Sequence, residues 1–187
     1  MKELIVLEGK VIIKMENNDR YEGKVKDGIK EGKGKYYYNN GDIYEGKFKN
    51  DNKEGKGKLF YNNGEIYEGD FKNGHRDGRG IFHYIKGSKY EGDWINSKKE
   101  GKGILYYING ARYEGDFKNN KIEGKGIFYF NDGGRYEGDF KNSKFEGKGV
   151  ACDNNGDRMI GYYSDGKTIG LHVILTRNGN IKRKTFK

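Results

Sequence analysis

The sequence predicts an all-β fold: an elongated single-layer antiparallel sheet, a solenoid of tandem 23-residue β-hairpins with a capping unit at each end. Three observations predict it. First, the tripeptide Tyr-Glu-Gly begins at Tyr21, Tyr44, Tyr67, Tyr90, Tyr113 and Tyr136, always 23 residues apart. Second, a Gly-x-Gly follows on the same step, from Gly32/Gly34 to Gly147/Gly149. A fixed period of this length means one supersecondary unit stacked many times. Third, the chain has 0 prolines and no apolar period of 3.6, as expected of sheet throughout, because proline cannot donate to a ladder.

Taken in order, residues 1–20 read as an N-terminal half-repeat cap. Gly9 and Val11 occupy the Gly-x-Gly slots, and the apolar run Leu4–Leu7 predicts a first strand that covers the open edge. Six full repeats follow over 21–158: 21–43, 44–66, 67–89, 90–112, 113–135 and 136–158. Each predicts a strand at Tyr-Glu-Gly-x-Phe, a turn, and a second strand from the Gly-x-Gly. Asn-Gly pairs such as Asn40-Gly41 and Asn63-Gly64 link one hairpin to the next. Residues 159–181 form a degenerate seventh repeat, a C-terminal cap in which Met159 replaces the tyrosine and His172 the second late glycine. Residues 182–187 are a basic tail.

The unit Tyr-x-Gly-x-Phe/Trp-x(2)-Gly-x(3)-Gly-x-Gly resembles the MORN repeat (membrane occupation and recognition nexus) over nearly the whole chain. It departs from the family at the residue before Gly-x-Gly. That slot is often His in the family, and here holds Glu31, Glu54, Asp77, Glu100, Glu123 and Glu146. The middle glycine is kept at Gly28 and Gly74 but replaced by Asp51, Ser97, Asn120 and Ser143, which also tolerate turns. The resemblance implies a non-enzymatic scaffold or adaptor that holds a protein partner along its groove. It also implies self-association and contact with acidic phospholipids.

Charge suggests a strand register. If the third residue after each tyrosine faces the residue between the late glycines, Asp70 meets Arg79, Asp93 meets Lys102, Asp116 meets Lys125 and Asp139 meets Lys148. The fifth residue then faces the acidic slot, as Lys72 faces Asp77 and Lys49 faces Glu54. Each such pair contributes roughly 0.2–1 kcal/mol, enough to bias register more than stability. The same register stacks Tyr, Gly and Phe with both late glycines on one face. Phe71 would lie over Gly78, and Tyr67 beside Phe82.

The resulting aromatic row is the first candidate site: a protein-binding groove centred on Tyr67, Phe71, Tyr90, Trp94, Tyr113 and Phe117. Its competing role is the solenoid's own packing. The second candidate is an anionic phospholipid surface bound by Lys24, Lys33, Lys47 and Lys56 together with Lys182, Arg183 and Lys184. In the first two repeats lysine stands where later repeats carry Asp, and the net charge of +9 favours anionic partners. Nucleic acid is disfavoured as a partner, because packing explains the glycine-spaced aromatics and no known nucleic-acid module matches.

Catalysis finds no support. The recurring glutamates from Glu22 to Glu137 are equivalent copies, whereas a catalytic pair needs two unlike environments. His75, His83 and His172 fall in separate repeats without metal-ligand spacing, and no cofactor is expected. The 16 Tyr, 10 Phe and 32 Gly argue against disorder despite 35% charged residues. Cys152 is the single cysteine, so no internal disulfide forms. No leader peptide, apolar span or lipidation motif is seen, which leads to an expectation of a cytoplasmic protein, peripheral to a membrane or the cytoskeleton.

Overall fold

The computed structural model describes residues 3–7 and 10–187, with side chains from residue 11 onward. Among the described residues every regular element is a β-strand. The chain divides into two compact units after Ser97. The first holds β1 (Glu3–Leu7), β2 (Lys10–Lys14), β3 (Arg20–Lys26), β4 (Ile29–Tyr37), β5 (Ile43–Lys49), β6 (Asn52–Phe60), β7 (Ile66–Lys72), β8 (His75–His83) and β9 (Lys89–Ile95). The second holds β10 (Lys98–Tyr106), β11 (Arg112–Lys118), β12 (Lys121–Tyr129), β13 (Arg135–Lys141), β14 (Lys144–Cys152), β15 (Arg158–Ser164), β16 (Lys167–Leu175) and β17 (Ile181–Phe186). Within each unit, successive strands pair antiparallel as an open meander. Gly9 lies outside the described residues. Lys182, Arg183 and Lys184 of the basic tail belong to β17, with Lys184 opposite His172.

Each hairpin turns through two residues at positive φ. Asn73 (49°) and Gly74 (84°) form one such turn, Asn119 (49°) and Asn120 (68°) another. Two positive φ values give the primed turn that matches strand twist. This explains why Asp51, Ser97, Asn120 and Ser143 replace glycine: short polar side chains tolerate that conformation. They also gain bonds. Asp51 Oδ1 accepts from the Lys30 N–H at 3.0 Å and Ser97 Oγ from the Arg76 N–H at 3.2 Å, tying the turn to the preceding repeat. In the second unit Asn120 and Ser143 serve Lys99 and Ile122 in the same way.

The two late glycines have different jobs. Gly78 sits at φ 105°, in a bulge where residues 77–79 oppose Asp70 between the Gly69–Gly80 and Phe71–Arg76 pairs. Gly80 instead makes room. A Cβ there would lie 2.3 Å from Tyr67 Oη, and one on Gly69 would lie 2.6 Å from the same atom. The tyrosine ring therefore lies flat over a glycine pair on adjacent strands, Gly69/Gly80 in this repeat and Gly46/Gly57 in the one before.

The bulge corrects the register read from charge. Phe71 stands opposite Gly55 of the preceding repeat and Arg76 of its own, rather than over Gly78. The ion pairs run between neighbouring repeats: Lys56–Asp70 at 2.9 Å, Arg79–Asp93 at 3.6 Å and, in the second unit, Lys125–Asp139 at 2.9 Å. The acids in the departed His slot do not face the fifth residue after the tyrosine either: Lys49 stands opposite Asn52, and Glu54 opposite Lys47. These acids accept the first amide of the next repeat's turn: Glu31 from Asn50 at 3.2 Å, Glu54 from Asn73 at 3.1 Å, Asp77 from Asn96 at 3.2 Å and Glu123 from Asn142 at 2.8 Å. Tyr67 does stand opposite Phe82, as the alternation predicts.

The cap repeat solves its missing tyrosine by a swap. His172, fully buried, fills from the second strand the space a tyrosine fills from the first; a Cβ on Gly161 would meet its ring at 2.3 Å. Tyr163 and Phe186 pack edge-on against the imidazole at 5.3 and 4.9 Å.

Candidate functional site

Within each unit the predicted groove residues lie on one face of the sheet, here called the inner face, and all six are buried. Tyr67, Tyr90 and Tyr113 are 0% exposed, and Phe71, Trp94 and Phe117 are 3% exposed. Neighbouring rings and the sheet itself cover them. Tyr44, Tyr67 and Tyr113 are each held edge-to-face between the aromatic ring of their own repeat and that of the next. Tyr44 meets Phe48 at 5.2 Å and Phe71 at 4.9 Å; Tyr67 meets Phe71 at 5.2 Å and Trp94 at 5.3 Å. In the second unit Tyr113 meets Phe117 at 5.3 Å and Phe140 at 4.9 Å. Each hydroxyl donates to the carbonyl three residues on, at 2.9 Å from Tyr67 to Asp70 O and 3.0 Å from Tyr90 to Asp93 O. Burial raises the pKa of Tyr67 and Tyr113, and that of Tyr21 to about 12, with smaller contributions at Tyr21 from nearby Asp51 and Glu31. The row is thus the core of a single-layer sheet, which has no second layer to supply one.

What remains accessible on the inner face of the first unit is a rim of tyrosines and a line of cations that the sequence reading passed over. Tyr38, Tyr61 and Tyr84 are half-buried, at the loop end of each repeat. Tyr38 packs on Tyr36 at 4.5 Å, Tyr61 on Phe82 at 5.7 Å and Tyr84 on Phe82 at 4.7 Å. Alongside stand Lys30, Lys53 and Arg76, each nine residues after a repeat tyrosine. Lys53 Nζ donates to Tyr38 Oη at 3.2 Å and sits over the rings of Tyr44 and Phe71 at 5.7 and 5.8 Å. The Arg76 guanidinium lies 4.4 Å over Trp94 and donates to Ser97 O at 2.8 Å. Strand alternation was the available signal, because Lys30, Gly32 and Gly34 share parity and so share a face. In the second unit the same slot holds Lys99, over the Phe117 ring at 5.9 Å, and then the apolar Ile122 and Phe145. Ile122 and Phe145 line a cavity of about 230 Å³ with Tyr107, Phe128 and Phe130.

The predicted basic residues of the first unit, Lys24, Lys33, Lys47 and Lys56, occupy the opposite, outer face. Lys24, Lys33 and Lys47 are exposed, and Lys33 and Lys47 stand directly opposite one another. Lys56 differs, since Asp70 engages it. Lys35 and Lys58 are likewise neutralised, by Glu45 and Glu68. Lys182, Arg183 and Lys184 are exposed on β17. His75, His83 and His172 are not brought together, and among the described residues no group of three or more His, Cys, Asp or Glu could hold a metal. Among the described residues no helix is long and apolar enough to cross a membrane.

Comparison with known proteins accords with this architecture. The MORN repeat family matches residues 21–43, 44–66, 67–89, 90–112, 113–135 and 136–158. The chain belongs to the MORN repeat family. Among solved structures it is similar to the TCP10 domain of Danio rerio CPAP in complex with a peptide of STIL, at 14% identity and a TM-score of 0.64, covering 98% of this chain and 83% of that one. It is also similar to the SAS-4 (dCPAP) TCP domain of Drosophila melanogaster in complex with a proline-rich motif of Ana2, at 14% identity and a TM-score of 0.56, covering 95% and 90%. A third likeness is to the CPAP G-box domain, at 12% identity and a TM-score of 0.58, covering both chains fully. At these identities the likeness concerns the fold. No curated protein sequence matches the chain.

Proposed function

We propose that this chain is a non-enzymatic scaffold that holds a protein partner along the inner face. Tyr67, Phe71, Tyr90 and Trp94 form the rigid floor of the first unit, and Tyr113 and Phe117 belong to that of the second. One observation carries the reading: the floor is saturated by its own packing, yet the face still presents half-exposed tyrosines at Tyr38, Tyr61 and Tyr84, one per repeat. Tyrosine offers large contact area at low entropic cost and is enriched in interfaces. The similar CPAP and SAS-4 domains are described with bound peptides, which supports the same use of this fold here. A cytoplasmic setting near a membrane or the cytoskeleton, and pairing of two copies, belong to the same proposal.

A second reading rests on Lys24, Lys33 and Lys47. Two of these lysines face each other without an intervening acid, an arrangement unfavourable within the fold and suited to an anionic phospholipid surface. In the second unit, the exposed Lys182, Arg183 and Lys184 of β17 offer such a surface a separate contact. One experiment separates the two readings. Partner capture and vesicle binding are compared for wild type, Tyr61→Ala/Tyr84→Ala, and Lys24→Ala/Lys33→Ala/Lys47→Ala, each checked for folding by circular dichroism. The scaffold reading predicts that the tyrosine variant loses its protein partner and the lysine variant keeps it. Partner capture unaffected by the tyrosine changes refutes that reading. Equal binding of neutral and anionic vesicles refutes the membrane reading.

A further inference from the structure

We propose that the inner face of the first unit binds an acidic polyproline-II segment of a protein partner, one carboxylate per repeat. This rests on the reading of that face as the partner-binding surface. The receiving groups are Lys30, Lys53 and Arg76, which recur at the repeat step on that face.

Lys53 is the centre of the argument. Its ammonium is half-buried among the rings of Tyr38, Tyr44 and Phe71, and its hydrogen-bond partner is the Tyr38 hydroxyl. Lys30 has Asp51 at 3.5 Å, supplied by the turn of the following repeat. The matching turn position for Lys53 is Gly74, which has no side chain to offer. Among the described residues no carboxylate lies within ion-pair distance of Lys53. Asp42, the acid whose field reaches it, already accepts from the Asn62 N–H at 2.8 Å and from Asn40 at 3.0 Å. Burial, and after it the neighbouring Arg76, lower the Lys53 pKa. A cation held over rings without an anion is stabilised in part by the π faces and gains further from an incoming carboxylate.

The spacing of the cations selects the conformation of the ligand. Each repeat advances two strands, about 9.6 Å. A polyproline-II helix turns once in three residues, about 9.3 Å, so acids at i, i+3 and i+6 point the same way at nearly that step. Over two steps the mismatch is about 0.6 Å. Same-side residues of a β-strand are about 6.7 Å apart and one α-helical turn is about 5.4 Å, so neither meets every cation. The tyrosine rim supplies the flat aromatic surface on which proline rings rest. A second copy of this chain is a poor occupant, since its net charge is +9.

The test is fluorescence anisotropy on the intact chain with labelled 12-residue peptides. The peptides are four repeats of Glu-Pro-Pro, four repeats of Gln-Pro-Pro, and a Glu/Pro shuffle in which no two acids are three apart. The proteins are wild type, Lys53→Met (which keeps the apolar stem), and the outer-face control Lys33→Met/Lys47→Met. The expected result is binding of the Glu-Pro-Pro peptide at least tenfold tighter than either control peptide. Lys53→Met should weaken it about tenfold, and the outer-face pair should leave it unchanged. The proposal is overturned if the Glu-Pro-Pro peptide does not bind, binds no tighter than the Gln-Pro-Pro or shuffled peptide, or responds to the outer-face changes as much as to Lys53→Met. If it fails while partner capture still depends on Tyr61 and Tyr84, the scaffold reading stands without it. If capture is also insensitive to those tyrosines, both readings fall.

Discussion

Replacing Gly80 with alanine tests the rule that a glycine pair exists to seat a tyrosine. The new methyl would lie 2.3 Å from Tyr67 Oη and 2.5 Å from both Cε2 and Cζ of the same ring. Ordinary carbon contacts begin near 3.5 Å, so the ring must lift by about 1 Å. Overpacking of this kind costs roughly 1–3 kcal/mol. Losing the Tyr67 hydroxyl bond to Asp70 O adds about 1 kcal/mol. The entropic gain of alanine in the unfolded chain returns roughly 0.4–1 kcal/mol. The net expectation is a loss of about 1–3.5 kcal/mol. Gly74→Asn is the control: its nearest heavy atom is Asn52 Oδ1 at 3.8 Å, and Asn120 already holds the equivalent place at positive φ. It should change stability by about 0.5 kcal/mol or less. Urea unfolding followed by circular dichroism reads both. A Gly80→Ala protein within 0.5 kcal/mol of wild type, a margin typical of surface changes, refutes the account of the glycine pair.

Three further outcomes follow from the packing. Met159→Tyr alone should destabilise by roughly 1–3 kcal/mol, because the new ring and His172 compete for the space over Gly161. Adding His172→Gly should restore stability, and additive losses in a double-mutant cycle would refute the swap. In alkali, burial raises the pKa of Tyr21 to about 12 and raises those of Tyr44, Tyr67, Tyr113 and Tyr136 as well. An unfolded tyrosine ionises near pH 10, so their stabilising contribution is whole below about pH 10 and falls as pH rises above it. Phenolate absorbance of the floor tyrosines should therefore appear together with unfolding, and ionisation in the folded state would contradict the burial. At the acid end, burial opposes ionisation of Asp19, but bonds from Tyr36, the Asn39 N–H and Asn17, with Lys30 nearby, outweigh it and hold its pKa below the ordinary value. Its contribution is present above about pH 4 and is lost as pH falls through the lowered folded-state pKa. Asp19→Asn should flatten that part of the acid-unfolding profile, and an unchanged profile would show that the network around Tyr36 contributes nothing.

The period carried most of the fold. An unbroken step of 23 residues fixes the hairpin, the turn and the links between hairpins, since each repeat must place its tyrosine over the same neighbours. Gly78 shows where the sequence falls silent. A glycine that makes room and a glycine that permits positive φ look alike in the sequence, so the bulge at Gly78 went unread. With it went the true partners of Asp70 and Asp77. The aromatic floor was legible as a row, but its degree of burial depends on rings from adjacent repeats meeting edge-on, which no single repeat specifies. The cationic line was legible by parity alone. The isolation of Lys53 from carboxylates appears once Gly74 is seen to stand where Asp51 serves Lys30.

The most direct test of the central claim is site-specific photo-crosslinking. A photoreactive phenylalanine is placed singly at Tyr61 or Tyr84 on the inner face, and at Lys49 or Lys72 on the outer face, and the partner is crosslinked in native extract. The account predicts adducts of the same protein from both inner positions and none from the outer ones. Adducts confined to the outer positions would contradict it.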